Sequence, residues 1–154
     1  LSAKNCMSHL LLKDTFDNFS FIEGEITTFN KFTISGFLQE DFFDEKPEET
    51  YSRWNKTRDF CFQIIRGKRT PLGFKIVLAL PEDQVPYFLT AHDLTGYRPE
   101  EIRGLYLNFH YDGHHLQCIT GTSLNTFTMD KSIEREWDQE VKNILKSRSI
   151  EGDY

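Results

Sequence analysis

Apolar residues recur at three- and four-residue spacing at the start of the chain, where Ala3, Cys6, Met7, Leu10 and Leu11 form a stripe that Ser2 can cap. The spacing predicts a short amphipathic helix. From residue 19 to 40 the period changes to alternation, with Ile22, Ile26 and Phe37 set among polar, Thr and Phe positions around Asn30-Lys31. That pattern predicts a β-hairpin. Gly24 and Gly36 fall inside its strands and mark bulges or close packing. An acidic stretch with Pro47 interrupts the sheet pattern. After it Tyr51 and Trp54 are helically spaced, and Phe60, Cys61, Ile64 and Ile65 make a second helical stripe.

Thr70-Pro71 stops that helix and leads into Phe74 to Leu80, an almost unbroken apolar run ended by Pro81. Such a run predicts a central strand covered on both faces. Pro81 or Pro86 opens another short helix through Tyr87, Phe88 and Leu89. Arg103 to Tyr111 and His114 to Thr122 make a second hairpin, because Asp112-Gly113 suits a two-residue turn whose central positions need positive φ. A type I′ turn there pairs Tyr111 with His114, His110 with His115, Phe109 with Leu116 and Leu107 with Cys118. Leu105, Leu107, Phe109, Leu116 and Cys118 then share one face, and Tyr106, Asn108, His110, His115 and Gln117 the other. A last amphipathic helix runs from about Asp130 to Lys146 on Ile133, Trp137, Val141, Ile144 and Leu145, capped by Asp130 or Ser132. The expected class is α+β: a mostly antiparallel sheet of about five strands, two hairpins plus a central strand, with helices packed on it. Residues 1–154 read as a single globular domain, with an acidic loop at 40–50 and a frayed polar tail at 149–154.

Composition, charge and cysteine usage add to this picture. With 154 residues and fourteen phenylalanines, the chain can bury a ring-rich core without metals or disulfides. The net charge of −6 is local, because Glu40, Asp41, Asp44, Glu45, Glu48 and Glu49 face only Lys46 within one ten-residue window. Arg53, Lys56, Arg58, Arg66, Lys68 and Arg69 then reverse the sign. Neighbouring blocks of opposite charge either pair with each other or present two faces to different partners. Cys6, Cys61 and Cys118 are odd in number, far apart and set in apolar surroundings, as in reduced, buried thiols of a cytoplasmic protein. No apolar run reaches the roughly 18 residues of a membrane span, so no membrane association is expected.

Two constellations could carry chemistry. His110 and His115, opposed across the hairpin in the register above, have the separation to hold one divalent metal, or are simply exposed hairpin histidines. Arg66, Lys68 and Arg69, with Arg53, Trp54 and Arg58 upstream, interleave bases with an aromatic, as phosphate and nucleic-acid sites do. A helix C-terminus attracts cations in any case, and the overall charge is negative, so nucleic acid is not the favoured partner. Thr120 to Ser123 lacks the spacing and lysine of a phosphate loop and reads as a strand exit. Glu23 and Glu25 share a strand face and read as solubilising carboxylates.

Four strings carry a resemblance: LLLKDTF at Leu10–Phe16, ITTFNKFTISG at Ile26–Gly36, IRGKRTP at Ile65–Pro71, and YLN at Tyr106–Asn108 with TGTS at Thr120–Ser123. Together they resemble a family of bacterial proteins of unknown function found in anaerobic Gram-positive bacteria. The resemblance covers most of the chain and implies a cytoplasmic bacterial protein with no assigned activity. Members of that family begin with a short strand ahead of the first helix, whereas this chain starts at Leu1. The residues and the resemblance together lead to a non-enzymatic cytoplasmic binding or interaction module. It has no implied cofactor and an unidentified partner, for which a protein is one candidate. The alternative is a metal-dependent or phosphate-directed enzyme, or a nucleic-acid-binding protein, using the His110/His115 tip or the Arg66–Arg69 loop. That alternative requires those groups to converge on one pocket.

Overall fold

The computed structural model describes residues 3–154, and the expected Ser2 cap lies outside the described residues. The chain runs α1 (Ala3–Leu11), β1 (Ser20–Thr27), β2 (Lys31–Ser35), α2 (Trp54–Ile65), β3 (Gly73–Ala79), α3 (Val85–Ala91), β4 (Ile102–Tyr111), β5 (Leu116–Leu124) and α4 (Ser132–Ser147). The five strands form one sheet in the order β2-β1-β3-β4-β5, antiparallel throughout. The expected α+β architecture is therefore the observed one.

Strand register divides the sheet into two unlike faces. Rows such as Ile26–Phe74–Tyr111–Leu116 and Gly24–Ile76–Phe109–Cys118 run across β1, β3, β4 and β5 on one face. The buried stripes of all four helices join that face in one apolar cluster. Large side chains such as Trp54, Trp137, Phe16, Phe21 and Phe109 are almost wholly withdrawn from water, each contributing about 1.5–3 kcal/mol by burial. The rings meet edge-on or tilted, Phe16 against Phe109 at 5.2 Å and Phe88 against Trp137 at 5.6 Å, as their quadrupoles favour. The opposite face carries rows such as Glu25–Lys75–His110–Gln117 and Glu23–Val77–Asn108–Ile119, and most of these side chains reach solvent. We call it the open face.

Several local expectations change. β3 is covered on both faces only in its second half, since Lys75 is exposed while Val77 and Ala79 are buried. Tyr51 does not begin a helix with Trp54; it bridges Phe37 in an isolated antiparallel pair, and α2 starts at Trp54. The irregularity in β1 falls between Phe21 and Glu23, and Gly36 answers to close packing instead. Thr120–Ser123 lies within β5 and is no strand exit. Lys131, not Asp130 or Ser132, takes the N-cap position of α4 and makes no side-chain cap bond, while Asp130 just before it accepts from the Ser132 backbone N–H at 2.9 Å and its hydroxyl at 2.8 Å. A hydrogen bond from the Tyr97 hydroxyl, with these two from Ser132, holds the Asp130 carboxyl down at about 2. The segment after α4, read as frayed, is anchored at its start, where Ile150 is buried in the core and the Glu151 N–H donates to Asn5, while residues 151–154 stay exposed.

The second hairpin keeps its predicted faces but not its register. Tyr111 pairs with Leu116 and His110 with Gln117, so each expected partner is displaced by two residues and the side chains that remain in the strands keep their side of the sheet, while His114 and His115 leave β5 for the turn. The cause is the Asp112 side chain, whose Oδ1 accepts the backbone N–H groups of His114 and His115 at 2.8 and 2.7 Å. Those bonds stabilise a longer turn over 112–115, and they pull the Asp112 carboxyl below its ordinary range.

Helices α3 and α4 are joined by a charged clasp. His92, at the end of α3, places Nδ1 2.8 Å from Glu136 and Nε2 2.8 Å from Glu140, one turn apart on α4. Two carboxylates on the two ring nitrogens require an imidazolium, which alone donates from both. Burial pushes the imidazole pKa down, but the two hydrogen bonds and the carboxylate charges outweigh it, and the net direction is up. The clasp is then fully formed below the ordinary imidazole value of about 6.5 and is lost as pH rises through the raised value. We expect it to contribute about 1–2 kcal/mol at pH 6, trimmed by the half-exposed carboxylates, and to fade in alkaline buffer. Urea unfolding from pH 5.5 to 9 checks this: His92→Gln should flatten the alkaline decline, and equal pH profiles for both proteins would refute the assignment.

Candidate ligand cleft on the open face

Between β2 and α2 the chain leaves the sheet and returns, and the two ends of this excursion are tied together. The Leu38 N–H donates to the Thr50 carbonyl, the Ser52 N–H to the Gly36 carbonyl and the Phe21 N–H to the Ser52 carbonyl, at 3.0, 2.9 and 2.7 Å. The acidic window is thus an ordered loop with closed ends. It stands over the open face beside the last residues of β3 and the first of β4, and a cleft of about 300 Å³ lies beneath it.

Four stretches of sequence line this cleft: Ser20 and Ile22 of β1, Glu48 to Tyr51 with Arg53 from the loop, Ala79 at the end of β3 with Leu80 to Asp83 after it, and Arg103, Gly104 and Tyr106 of β4. Arg53 is the strut of the wall. Its Nε donates to Glu49 at 2.8 Å, Nη1 to the Asn18 carbonyl at 2.7 Å, and Nη2 lies 3.7 Å from Asp83. Arg103 is held by Asn125 at 3.1 Å. Gly104 is required by its neighbour, because a β-carbon there would run into the Tyr106 ring. Partial burial raises the Tyr106 phenol, and nearby Tyr51 adds to the shift. Among the described residues Glu48 and Glu82 take part in no ion pair. Four carboxylates against two guanidiniums leave the cleft wall net negative.

The structure disperses the residues singled out from sequence. Trp54 is buried, its Nε1 donating to the Leu10 carbonyl at 2.8 Å, so its ring offers no stacking face. Arg58 is bound to the Lys13 carbonyl and lies 3.3 Å from Asp17. Arg53 belongs to the cleft. Arg66, Lys68 and Arg69 alone remain as an exposed group, on the loop between α2 and β3. His110 lies on the open face between Lys75 and Gln117, while His115 sits in the turn, 3.8 Å from Asp112. The opposition on which the metal pairing depended is therefore absent.

The basic loop and the histidine tip do reach the same end of the sheet, where the Leu72 carbonyl lies against Gly113. A shallow hollow of about 370 Å³ there is lined by His110 and Asp112 but by neither His115 nor the three bases. Among the described residues no three His, Cys, Asp or Glu side chains are grouped to hold a metal ion. Burial pushes all three thiols up to about 12, far from the depressed values of nucleophilic cysteines. Glu23 and Glu25 are each beside a lysine, Lys75 at 3.9 Å and Lys31 at 2.6 Å. No helix among the described residues is long and apolar enough to cross a membrane.

A profile of the family of unknown function DUF5721 matches residues 9–153. The chain belongs to DUF5721. Membership spans every residue of the cleft and all the strings on which the resemblance rests, and DUF5721 brings no activity with it. No curated protein and no solved structure matches the chain.

The cleft residues Tyr51, Arg103 and Tyr106 were not singled out from the sequence as functional. Their only local signal is Gly104 two residues before an aromatic in a strand, the pattern of a ring laid back along its own backbone.

Proposed function

We propose that the protein is a non-enzymatic binding module of the bacterial cytoplasm whose open-face cleft takes a ligand bearing a positively charged group. One observation carries this reading: the cleft wall holds more carboxylates than guanidiniums, and Arg53 already pairs with two of the acids. A recess lined by one sign of charge raises the local concentration of the opposite sign. Tyr51 and Tyr106 supply aromatic surface on which an ammonium or guanidinium gains a further cation–π attraction. The protonated, free thiols, Cys6 and Cys61 buried and Cys118 partly so, support the non-enzymatic part and agree with a reducing compartment.

Isothermal titration with benzylammonium, benzyl alcohol and benzoate tests the charge requirement on one ring. The cation is expected to bind, the neutral isostere more weakly, and the anion not at all. Glu82→Gln and Glu48→Gln should each weaken the cation by about five-fold, which corresponds to about 1 kcal/mol for a half-exposed ion pair. Equal affinity for all three probes would overturn the reading, as would turnover in a hydrolase and phosphatase screen abolished by a single cleft substitution.

A further inference from the structure

The two charged blocks do not neutralise each other within one molecule. Arg53 with Glu49 is the one ion pair between them among the described residues, and Arg66, Lys68 and Arg69 have none. Their positions explain this. The acidic loop stands at the end of the sheet where β3 finishes, and the basic loop leads into Gly73, where β3 begins. A seven-residue strand separates the two ends by roughly 20 Å.

Each block also displays apolar surface that the fold leaves uncovered. At the acidic tip Phe42 is 85% exposed and packs edge-on against Phe43 at 5.5 Å, with Asp41 and Asp44 on either side. At the basic end Leu72 is 69% exposed, three residues beyond Arg69. An aromatic pair flanked by acids is complementary in charge to an apolar side chain set among bases, and the far end of the same molecule presents Leu72 on the loop that carries Arg66, Lys68 and Arg69, all exposed.

We propose that the chain associates head to tail, the Phe42–Phe43 tip of one copy docking on the Arg66–Arg69 loop and Leu72 of a second copy. The tip and the patch are different surfaces, so the contact is heterologous and each bound copy leaves one tip and one patch free. Assembly then continues with concentration unless the rotation between copies closes a ring. Formal ion pairs between exposed groups make it sensitive to salt, since the screening length falls from about 30 Å at 0.01 M to about 3 Å at 1 M. This contact is independent of the cleft and its ligand.

Sedimentation velocity on the full chain tests it. The weight-average mass should rise above the 18.2 kDa of one chain as concentration increases in low salt and return to it in high salt. A tip variant, Phe42→Ser with Phe43→Ser, and a patch variant, Lys68→Glu with Arg69→Glu, should each stay at the mass of one chain. Mixed in equal amounts, they should form a species of two chains and nothing larger, because each supplies the one face the other lacks. Two results would overturn the proposal: a wild-type chain that keeps its single-chain mass at the highest concentration in low salt, and variants that associate alone as the wild type does. Single-chain mass together with a gel shift on single-stranded oligonucleotide that needs Lys68 and Arg69 would assign the basic loop to nucleic acid instead.

Discussion

Replacing Trp54 by alanine is expected to destabilise the fold by about 3–5 kcal/mol, the range for removing a large aromatic side chain from a packed core. Trp54 has no exposed surface, stacks obliquely on Phe21 with 5.4 Å between ring centroids, and opens the helix that packs on both α1 and β1. Its indole also donates to the Leu10 carbonyl, at the end of α1 where carbonyls lack helical partners. Alanine therefore removes a ring and strands an acceptor between three elements. Trp54→Phe separates the two effects: it keeps most of the ring and loses only the bond, so about 1–3 kcal/mol should go, the penalty for an unsatisfied buried group. Urea unfolding with an unchanged m-value measures both. A Trp54→Ala protein within 1 kcal/mol of wild type would show that the indole is not a core group.

That buried indole marks the boundary of what could be read from the sequence. Trp54 follows Arg53 and precedes Lys56 and Arg58, and charge pattern alone makes it the aromatic of a basic patch. Its burial depends on Leu10 and Phe21, more than thirty residues away, which no local window contains. The second hairpin shows the same division. Alternation of Leu105, Leu107 and Phe109 with Tyr106, Asn108 and His110 was enough to assign both faces, because side-chain direction in a strand has a strict period of two. Register depended on whether the Asp112 carboxylate would bond the next backbone N–H groups, a local competition that composition does not decide. His110 and His115 were opposed only in the register that lost. The cleft was less legible still, because Glu48, Pro81 and Arg103 meet through the β1-β3-β4 order, and strand order is a long-range property.

Gly36→Ala should be the most damaging single-methyl change in the chain, at about 3 kcal/mol or more, the upper end of what overpacking costs. A β-carbon at residue 36 would lie 2.6 Å from the Phe21 carbonyl carbon and closer still to its oxygen. Those are backbone atoms, so no rotamer change relieves the clash, and one of the two strands must move. Both are fixed. The Phe21 N–H donates to the Ser52 carbonyl, and Gly36 bonds on both sides, its N–H to the Ile22 carbonyl and its carbonyl to the Ser52 N–H. Gly36 therefore sits where the acidic loop leaves the sheet and where it returns. Pushing it outward should open the loop before it disturbs the distant hydrophobic face, so two readouts are expected to fall together. The urea midpoint should drop, and benzylammonium affinity should weaken even where the protein is still folded, because Glu48 and Tyr51 move with the loop. Gly96→Ala, with open space around its β-carbon position, is the matched control and should change neither. A Gly36→Ala protein as stable as that control would mean that the loop does not close against β1 as described.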